Sequence, residues 1–369
     1  MSIVSQCLGI DVAAKDVQVC FMVKTDTGHC KIKGSRSFTN TVKGISNLEQ
    51  WLKKRCQDGL ILSVVMEATG VYYEQLAYTL YESDHRIHVL LPNRVKGYLK
   101  FLNLKSKTDK IEAKALAQLG LDQQLPTWKA ATPQMYALKR LCREKNMLTD
   151  EKTMISNRLH AEQSCKSPQK TIIKRFKQRL RLVGKQIDEV EDQVRQMCVQ
   201  DEQLSQRIEN ITTIKGVGFM TAITLIAETN GFELINHKSQ LVSYAGYDVV
   251  ERQSGSSVKG KTRISKKGNS HIRRCLHFPA LSAVKYTNEF RALFTRVFER
   301  TKIKMKGYVA VQRKLLVLIY TLYKKNQPYD PKYATKRAKE QSCRQDTICL
   351  LYTSPSPRDL STSRMPSSA

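Results

Sequence analysis

Several features are missing from this sequence, and each absence excludes a class of protein. None of the ten cysteines forms a C-x-x-C pair, which argues against a zinc ribbon or a disulfide framework and favours reduced thiols in a cytoplasm. No apolar run approaches the roughly 20 residues that a membrane span requires. The N-terminus lacks both a charged n-region and a long apolar h-region, so we expect no secretory signal.

Acidic residues are also scarce. The 369 residues include 62 Lys and Arg but only 33 Asp and Glu, which gives a formal charge of +29. Because so large a charge repels itself, it predicts a polyanionic partner such as nucleic acid. A basic membrane-surface protein would carry a lipidation signal or an amphipathic anchor, and neither is visible. Apolar residues make up 41% of the chain, enough for two or three domains with real cores.

The first third of the chain alternates between strand and helix patterns. We predict two short strands within residues 7–24, further strands at 34–39, 61–66 and 87–91, and helices at 48–56, 72–81, 93–102 and 110–121. The run at 61–66 is apolar throughout most of its length, as in a strand buried on both faces. A strand meander followed by βαβ alternation indicates an α/β domain with a mixed sheet.

Carboxylates occur in this region where metal-dependent chemistry would use them. Asp11 lies at the end of the first strand, and Glu67 ends the buried strand. Asp109 and Glu112 are three residues apart at a helix start, hence on one helical face. Phosphoryl transfer with divalent ions needs several such carboxylates to converge. Taken singly, each has a structural alternative: a strand-end Asp can form a turn, and Asp109 can be a helix N-cap.

Three motifs around these carboxylates resemble those of the DEDD-type insertion-sequence transposases: Gly-Ile-Asp11-Val-Ala, Met-Glu67-Ala-Thr-Gly-Val-Tyr and Lys-Thr-Asp109-Lys-Ile-Glu112-Ala-Lys-Ala-Leu-Ala. The resemblance implies an N-terminal RuvC-like nuclease domain of the RNase H fold. It also implies catalytic roles and Mg²⁺ binding for Asp11, Glu67, Asp109 and Glu112. The fourth position departs from the family, because Glu112 replaces the usual Asp. Its longer arm shifts the carboxylate, whereas Mg²⁺ demands near-octahedral geometry.

The middle of the chain carries a long heptad pattern. From residue 176 to 211, apolar residues recur at alternating steps of four and three, and only Asp201 interrupts the register. This spacing predicts one long helix with a narrow apolar seam, typical of a coiled coil. A second helical stripe follows Pro133, and residues 164–171 are the predicted turn. A hairpin within one chain and a dimer arm both fit; we favour a role in oligomerisation over a simple spacer.

Residues 252–268 alternate serines, glycines and cations. They predict an exposed, flexible loop that either grips phosphates or presents a serine nucleophile to DNA. Upstream, Gly216 and Gly218 form a Gly-x-Gly turn before an apolar helix, which suits either phosphate binding or core packing. Downstream we predict a helix at 270–284 and a basic amphipathic segment at 302–325.

The span from 214 to about 282 also resembles the C-terminal domain of the same transposase family. Its signature elements correspond here to Ser254-Gly-Ser-Ser, Ser265-Lys-Lys-Gly-Asn and Arg273-Arg274. By position, Ser254 is the implied catalytic nucleophile, with Ser256 and Ser257 as rivals. We expect nucleic-acid contacts, mainly to phosphates, from Lys259, Lys261, Arg263, Lys266, Lys267, Arg273 and Arg274.

No histidine lies close to Ser254 in the sequence, so its activation would have to come from elsewhere. Metal ions held by the N-terminal carboxylates could supply it, which would make the active site composite between two domains or two subunits. His271 is a candidate proton donor, although a histidine at a helix start is more often structural.

The expected architecture is α/β plus α. It comprises a RuvC-like RNase H fold domain at 1–128, a long coiled-coil helical hairpin as linker and oligomerisation arm at 129–208, and a mainly α transposase domain at 209–328. The composition of residues 341–369 predicts a disordered tail. The run from Cys349 to Asp359 also resembles a translated sequencing-library adapter, so we assign no function to residues from 347 onward.

The resemblance implies a transposase or DNA recombinase of an insertion sequence, acting in the bacterial cytoplasm at the nucleoid. Its activity would be Mg²⁺-dependent cleavage and rejoining of element ends and target DNA through a covalent serine–DNA intermediate. Members of this family can use a structured bridge RNA as a guide, and we expect a homo-oligomer, a dimer or tetramer, without a membrane partner. Two alternatives stay open: a RuvC-like structure-specific endonuclease without a covalent intermediate, and a non-catalytic nucleic-acid-binding protein.

Overall fold

The computed structural model describes residues 2–68, 70–103, 106, 108–233, 235–251, 253–254, 258–260 and 262–332. The chain divides into two compact units, Met1–Ala131 and Thr132–Ala369. Within the described ranges, no helix is long and apolar enough to cross a membrane. The tail predicted at 341–369 lies outside the described residues.

The first unit is built on a five-stranded mixed sheet of order β3-β2-β1-β4-β5. Its elements are β1 (Ile3–Val12), β2 (Asp16–Thr25), β3 (Cys30–Thr39), α1 (Val42–Lys53), β4 (Leu62–Glu67), α2 (Glu74–Glu82), β5 (Arg86–Leu90), α3 (Pro92–Phe101) and α4 (Asp109–Asp122). β1, β2 and β3 pair antiparallel, whereas β1, β4 and β5 pair in parallel. The predicted mixed α/β sheet is confirmed, and it fits a RuvC-like domain.

Helices cover both faces of this sheet, and alternate residues of each strand face opposite ways. Leu8 and Ile10 of β1 pack in one core with α1 and α2. Cys7 of β1 and Val65 of β4 pack in another core with α3 and α4. Because side chains alternate with a period of two, the face on which any strand residue lies follows from its position. This rule decides where the carboxylates at the strand ends point.

The second unit is mainly helical, with one apolar core shared by its helices. Its elements are α5 (Pro133–Ser164), α6 (Lys170–Val199), α7 (Glu202–Thr212), α8 (Phe219–Glu228), α9 (Lys238–Tyr244), β6 (Val249–Val250), β7 (Gln253–Ser254), β8 (Val258–Lys259), β9 (Arg263–Ile264), α10 (Ser270–Cys275), α11 (His277–Tyr286), α12 (Asn288–Thr301) and α13 (Lys304–Lys325).

Helices α5 and α6 form an antiparallel hairpin, one of the two predicted arrangements. At its closed end, Glu162 Oε1 accepts the backbone N–H of Gln169 at 2.9 Å. Further along, Lys145 Nζ pairs with Glu191 Oε1 at 3.1 Å. These contacts join residues progressively farther from the turn, as an antiparallel pair requires.

The prediction of one continuous helix through residue 211 is wrong. Helix α6 ends at Val199, and the Asp201 side chain caps α7 by accepting the Leu204 backbone N–H at 3.0 Å. An Asp at this position satisfies an amide that a helix start leaves unpaired, so it favours a new helix over continuation. Leu204 and Ile208 then enter the core of the second unit instead of extending the seam.

The helix predicted at 270–284 is split as well. Helix α10 ends at Cys275 and α11 begins at His277. Pro279 explains the break, because in a continuous helix its ring would clash with the carbonyl of Cys275, four residues earlier. Helix α12 was not predicted, whereas α13 corresponds to the basic amphipathic segment at 302–325.

Candidate functional site

Two of the predicted carboxylates lie at the carboxyl ends of adjacent parallel strands. β1 and β4 are paired up to the residues directly before Asp11 and Glu67. By alternation, Asp11 shares the face of Cys7, and Glu67 shares the face of Val65. Cys7 and Val65 pack against α3 and α4, so both carboxylates lie on the helix-covered face that includes α4.

The packing of α4 on the sheet shows which end of the helix approaches them. A Cβ on Gly9 would overlap the Ala113 carbonyl oxygen, so the N-terminal half of α4 rests directly on β1 backbone. A Cβ on Gly120 would overlap Cys7 Sγ, so the C-terminal half lies nearer the start of β1. The helix therefore runs antiparallel to β1, and its first turn lies at the carboxyl end of that strand.

Asp109 and Glu112 occupy that first turn. The N-cap is Thr108, whose hydroxyl accepts the Ile111 backbone N–H at 3.3 Å, so the alternative that Asp109 is the cap is wrong. Negative charge is favoured at this end of a helix by the helix dipole. Asp109 is exposed and Glu112 is half-buried. The fold thus brings all four predicted carboxylates to one edge of the sheet.

These carboxylates do not form a closed cage. In the part of the chain that the structure describes, no group of three or more His, Cys, Asp or Glu side chains is positioned to hold a metal ion. As a donor set, however, they suit Mg²⁺. This ion is usually bound through one or two carboxylates together with waters and substrate phosphates, and less often by an all-protein cage.

Asn40 joins the loops that leave this edge of the sheet, and sequence reasoning missed it. Its Nδ2 donates to the carbonyl oxygens of Ala13, after β1, and of Tyr72, after β4, at 3.0 Å each. Its backbone N–H donates to the Lys15 carbonyl at 2.7 Å. Its place between a strand and a helix is typical of a turn residue, so the sequence carried no signal for a clamp.

Ser254 lies in β7 of the second unit. We call the paired strands β6 to β9 the serine hairpin, of which the structure describes residues 249–251, 253–254, 258–260 and 262–264. The expectation of a loop without regular structure is corrected there, because β6 pairs with β9 and β7 pairs with β8. Ser254 pairs with Val258 of β8 and is exposed. The predicted rivals and one cation lie outside the described residues: Ser256, Ser257 and Lys261.

The base of the serine hairpin, residues 265–269 after β9, packs against the turn that follows α9. The Asn269 backbone N–H donates to the Tyr244 carbonyl at 2.8 Å. Gly268 approaches so closely that a Cβ would overlap the same carbonyl oxygen. Gly246 has φ +74°, a left-handed conformation that favours glycine. Backbone packing therefore accounts for these two glycines.

Glu228, at the end of α8, anchors this base. Its side chain is buried, Arg143 of α5 donates to both carboxylate oxygens at 2.7 and 2.9 Å, and Asn269 Nδ2 donates to one of them at 2.7 Å. Burial acts to raise the pKa of Glu228, but the hydrogen bonds from Arg143 and Asn269 and the Arg143 charge outweigh it and hold the pKa below its ordinary value. Asn269 Oδ1 in turn caps α10.

Sequence reasoning missed this network. The only local signal for Glu228 was a single acid at the end of an apolar helix, and Arg143 is 85 residues away along the chain. Tyr244 adds a further link, since its hydroxyl donates to the Glu228 carbonyl at 2.9 Å.

The cations predicted to bind nucleic acid have different surroundings. Arg273 Nη1 donates to the Ala245 carbonyl at 2.7 Å, and Arg274 contacts both carboxylate oxygens of Asp150 at 2.5 Å. Both arginines thus make contacts within the second unit. Three others are exposed at or near the base of the serine hairpin: Arg263, Lys266 and Lys267. For Lys259 the structure gives only its place in β8.

His271 is the second residue of α10 and lies next to the Glu228 network. Burial lowers the pKa of His271, Glu228 opposes this effect, and neighbouring cations such as Arg143 add to it. An imidazole with a pKa below its ordinary value of about 6.5 is neutral at physiological pH.

Family comparisons match both parts of this arrangement. A DEDD transposase model of the IS110 type matches residues 8–162, and a model described as Transposase IS116/IS110/IS902 family matches residues 208–295. The chain belongs to the IS110 transposase family. It is accordingly an enzyme of the DNA transposase and recombinase class. The first match contains the four carboxylates, and the second contains Ser254 and Glu228.

Curated relatives extend the similarity of this IS110-family transposase over most of its length. The pilin gene-inverting proteins of Moraxella lacunata and Moraxella bovis are each 26% identical to it over 329 residues. Each alignment covers 88% of this chain and 97% of the relative.

Solved structures give only weak similarity. The Thermus thermophilus RuvC structure aligns at 12% identity with a TM-score of 0.27, over 33% of this chain and 99% of RuvC. The fowlpox virus Holliday junction resolvase aligns at 15% identity with a TM-score of 0.24, over 32% of this chain and 97% of the resolvase. Scores this low carry no argument, so the fold rests on the strand order and pairing described above.

Proposed function

We propose that this IS110-family transposase cleaves and rejoins DNA with Mg²⁺ through a covalent intermediate on Ser254. The observation that carries the proposal is the gathering of Asp11, Glu67, Asp109 and Glu112 at one edge of the sheet. Strand pairing brings the first two to this edge, and the direction of α4 brings the other two. Four carboxylates on one edge of a chain this basic suit the binding of divalent ions.

The four carboxylates would hold the divalent ions. Bound Mg²⁺ would supply charge neutralisation at the scissile phosphate and would help to activate the attacking hydroxyl. Asp109 and Glu112 lie in one helical turn, and Asn40 ties together the loops after β1 and β4. Asn40 would thereby help to orient the ligands of β1 and β4, and Glu112 would contribute its longer side chain from the fourth residue of α4.

Ser254 acts as the nucleophile in this proposal. Its Oγ attacks the scissile phosphorus and forms a P–O bond. The bond from phosphorus to the deoxyribose oxygen of the departing strand breaks, and that oxygen takes up the proton which the serine hydroxyl releases. A hydroxyl of the new strand then attacks the same phosphorus, the bond from phosphorus to Ser254 Oγ breaks, and Oγ takes up the proton that this hydroxyl releases. A DNA phosphodiester and the free serine result. Because each step exchanges one phosphate ester for another, no nucleotide cofactor is consumed.

The cations near the serine hairpin divide into two groups in this proposal. Lys259, Lys261, Arg263, Lys266 and Lys267 contact DNA phosphates, consistent with the exposure of Arg263, Lys266 and Lys267. Arg273 would act mainly by holding the base of the hairpin through backbone carbonyls, and Arg274 by joining α10 to Asp150 of α5. They can affect DNA binding through the hairpin position.

We further propose that a structured guide RNA selects the DNA and that the protein works as a homo-oligomer. The formal charge of +29 supports a second nucleic-acid partner. The hairpin of α5 and α6 is long enough to present a surface to another copy. Sequencing of RNA that co-purifies with the protein would test the guide. The molar mass in solution would test the homo-oligomer.

A covalent trap tests the central step. Purified protein is incubated with Mg²⁺ and DNA carrying its element ends, then denatured and separated from free DNA. We expect a DNA–protein adduct in the wild type and in Ser256→Ala, and none in Ser254→Ala. Asp11→Asn should also abolish the adduct, because it removes a metal ligand without changing side-chain size.

The outcomes are distinguishable. DNA cleavage without an adduct would show that water attacks, as in a structure-specific endonuclease. Persistence of the adduct in Ser254→Ala with loss in Ser256→Ala would move the nucleophile to Ser256. Loss of the adduct in all variants, including Ser256→Ala, would point to misfolding of the serine hairpin, which the thermal midpoint of each variant reports.

A further inference from the structure

Helix α3 presents a solvent-facing surface that the proposed chemistry does not use. Its sequence, Pro92–Phe101, contains three cations and no acid. Val95 and Tyr98 bury one side of the helix against α4. Phe101, one turn after Tyr98, lies at the margin of this buried side and is 80% exposed. A phenylalanine so exposed beside cations is a feature of surfaces that stack nucleobases.

A cleft of about 260 Å³ lies beside this ring. Four lining residues come from α3, at spacings of three and four that place them on one helical face: Arg94, Gly97, Tyr98 and Phe101. Leu119 of α4 and Gln123, which follows α4, form the other wall. Arg94 Nη2 donates to Gln123 Oε1 at 3.4 Å, so the guanidinium sits at the rim.

Besides the exposed Phe101 and its cleft, the glycine at position 97 also indicates a ligand. It lies inside a helix, where glycine is less favourable than alanine by about 1 kcal/mol. A Cβ at this position would meet nothing within 4 Å, so no internal packing requires a glycine here. Gly9 and Gly120 of the same unit differ, because protein atoms fill the space beside them. At Gly97 the missing side chain leaves the floor of the cleft flat and open.

Tyr98 holds the ring of Phe101, the proposed stacking platform, in place. Its ring stacks on Phe101 with centroids 6.1 Å apart and an interplanar angle of 28°. Its hydroxyl donates to Asp122 Oδ2 at 3.0 Å. Phe101 therefore rests on a ring that is itself fixed to α4, and its other face is open to a planar group.

We propose that this cleft binds a base of single-stranded DNA, stacked on Phe101 above Gly97, with Arg94 and Lys100 contacting the flanking phosphates. Each base has a flat π face, so stacking accepts any sequence, and the cations complement the backbone charge. Helix α3 begins two residues after Leu90, which pairs with Glu67. The helix thus starts at the carboxylate edge, and the cleft lies toward its other end, beside the C-terminal half of α4. A bound strand would run along α3 between the two. This choice of DNA rests on the proposed function.

Binding without metal tests the proposal independently of cleavage. The full chain is titrated into fluorescein-labelled oligo(dT), and anisotropy gives Kd at one fixed salt concentration. Phe101→Ala should weaken binding about 5- to 100-fold, because the stacking of one base is removed. Phe101→Trp should retain the affinity, and its fluorescence should be quenched by the oligonucleotide. Ile61→Ala is the matched control, an exposed apolar residue directly before β4.

Gly97→Leu separates ligand binding from stability. Leucine favours the helix over glycine, so the thermal midpoint should stay level or rise while oligo(dT) binding falls about tenfold. Gly184→Leu, in α6, is the control, since a Cβ there also meets nothing within 4 Å. It should leave binding unchanged.

Several results would overturn the proposal. An unchanged Kd in Phe101→Ala would exclude the platform. If Phe101→Ala weakened the binding of duplex DNA as much as that of oligo(dT), α3 would be a surface that binds phosphates and does not stack bases. Tighter Phe101-dependent binding of oligo(U) would assign the site to RNA, and a change of molar mass in Phe101→Ala would assign it to a second copy of the chain. If the wild-type protein formed no DNA adduct on Ser254 but its oligo(dT) binding still depended on Phe101, only the proposed function would be refuted.

Discussion

Glu228 shows how one buried residue can determine the position of an exposed one. Its carboxylate joins Arg143 of α5 to Asn269, the cap of α10. Asn269 closes the base of the serine hairpin through Tyr244. Ser254 itself pairs with Val258 of β8. We therefore propose that the network acts on Ser254 through the hairpin, which would make Glu228 a positioning residue.

Glu228→Gln should lower the free energy of unfolding by about 2 kcal/mol, because the amide cannot accept both Arg143 hydrogen bonds and the buried pair loses its charge balance. Arg143 is 41% exposed, so its charge can still reach water and the destabilisation stays below that of a fully buried pair. Glu189→Gln is the control, since the Lys185–Glu189 pair is exposed and should contribute less than about 0.5 kcal/mol. Urea denaturation of both variants measures the difference, and equal effects would contradict a structural role for Glu228.

The pH dependence of that difference has a definite sign. The pKa of Glu228 is lower in the folded protein than its ordinary value of about 4.3, so the folded state binds this proton less readily than the unfolded chain. Its stabilisation is fully present above that ordinary value and is lost as the pH falls through the folded value. The gap in unfolding free energy between wild type and Glu228→Gln should be constant above about pH 5.5 and shrink below about pH 4. A gap that widens on acidification would show that the carboxylate is not the stabilising form.

At the scale of elements, the contact between α4 and β1 sets the geometry of the carboxylate edge. Gly9 has no side chain, and the α4 backbone at Ala113 and Ala117 occupies the space that a Cβ would need. Ala113 and Ala117 are themselves small, which lets helix and strand approach closely. Any added atom here must push the helix away, and with it Asp109 and Glu112.

Gly9→Ala should therefore destabilise the protein by about 3 kcal/mol and abolish cleavage, because backbone atoms of α4 cannot move aside locally. Gly97→Ala in the same unit should be neutral or slightly stabilising, since its Cβ meets nothing within 4 Å. Thermal denaturation and DNA cleavage assays on the two variants check both statements. Normal cleavage by a fully stable Gly9→Ala protein would refute the close contact.

For the break between α6 and α7, the two interpretations of Asp201 predict stability changes of opposite sign. If Asp201 caps α7, Asp201→Ala loses about 1 kcal/mol of unfolding free energy. If the heptad pattern ran through as one helix, the same change would raise stability, because alanine favours a helix interior over aspartate. Gln200→Ala controls for helix propensity next to the cap. Denaturant unfolding distinguishes the two signs.

At the scale of the whole molecule, the charge excess is the feature that bears most directly on nucleic-acid binding. The formal charge of +29 predicts DNA binding that weakens steeply with salt. Lys266→Gln with Lys267→Gln should make the slope of log K against log salt shallower by about 1 for each phosphate that the variant no longer neutralises. Lys53→Gln, in α1, is the control. An unchanged slope in the double variant would remove the base of the serine hairpin from the DNA-binding surface.

Most elements of the first unit could be predicted because its patterns are local and strong. The run ending at Glu67 is apolar on both faces, and the strand predicted from it is confirmed within a residue. The second unit was harder to predict. Leu204 and Ile208 continue the heptad spacing of α6, so periodicity alone cannot distinguish a seam from a turn into the core. The serine hairpin has only two-residue strands, too short for any alternation to show.

By itself, the sequence determined the family, the mixed sheet and the candidate carboxylates and serine, because short motifs and periodicity reside in neighbouring residues. Only the tertiary structure decided that α4 runs antiparallel to β1, that Glu228 meets Arg143, and that Gly97 has open space while Gly9 has none. These facts depend on contacts between residues far apart in the chain. Such contacts are set by packing, and the sequence alone does not show whether a glycine lies beside a helix or beside solvent.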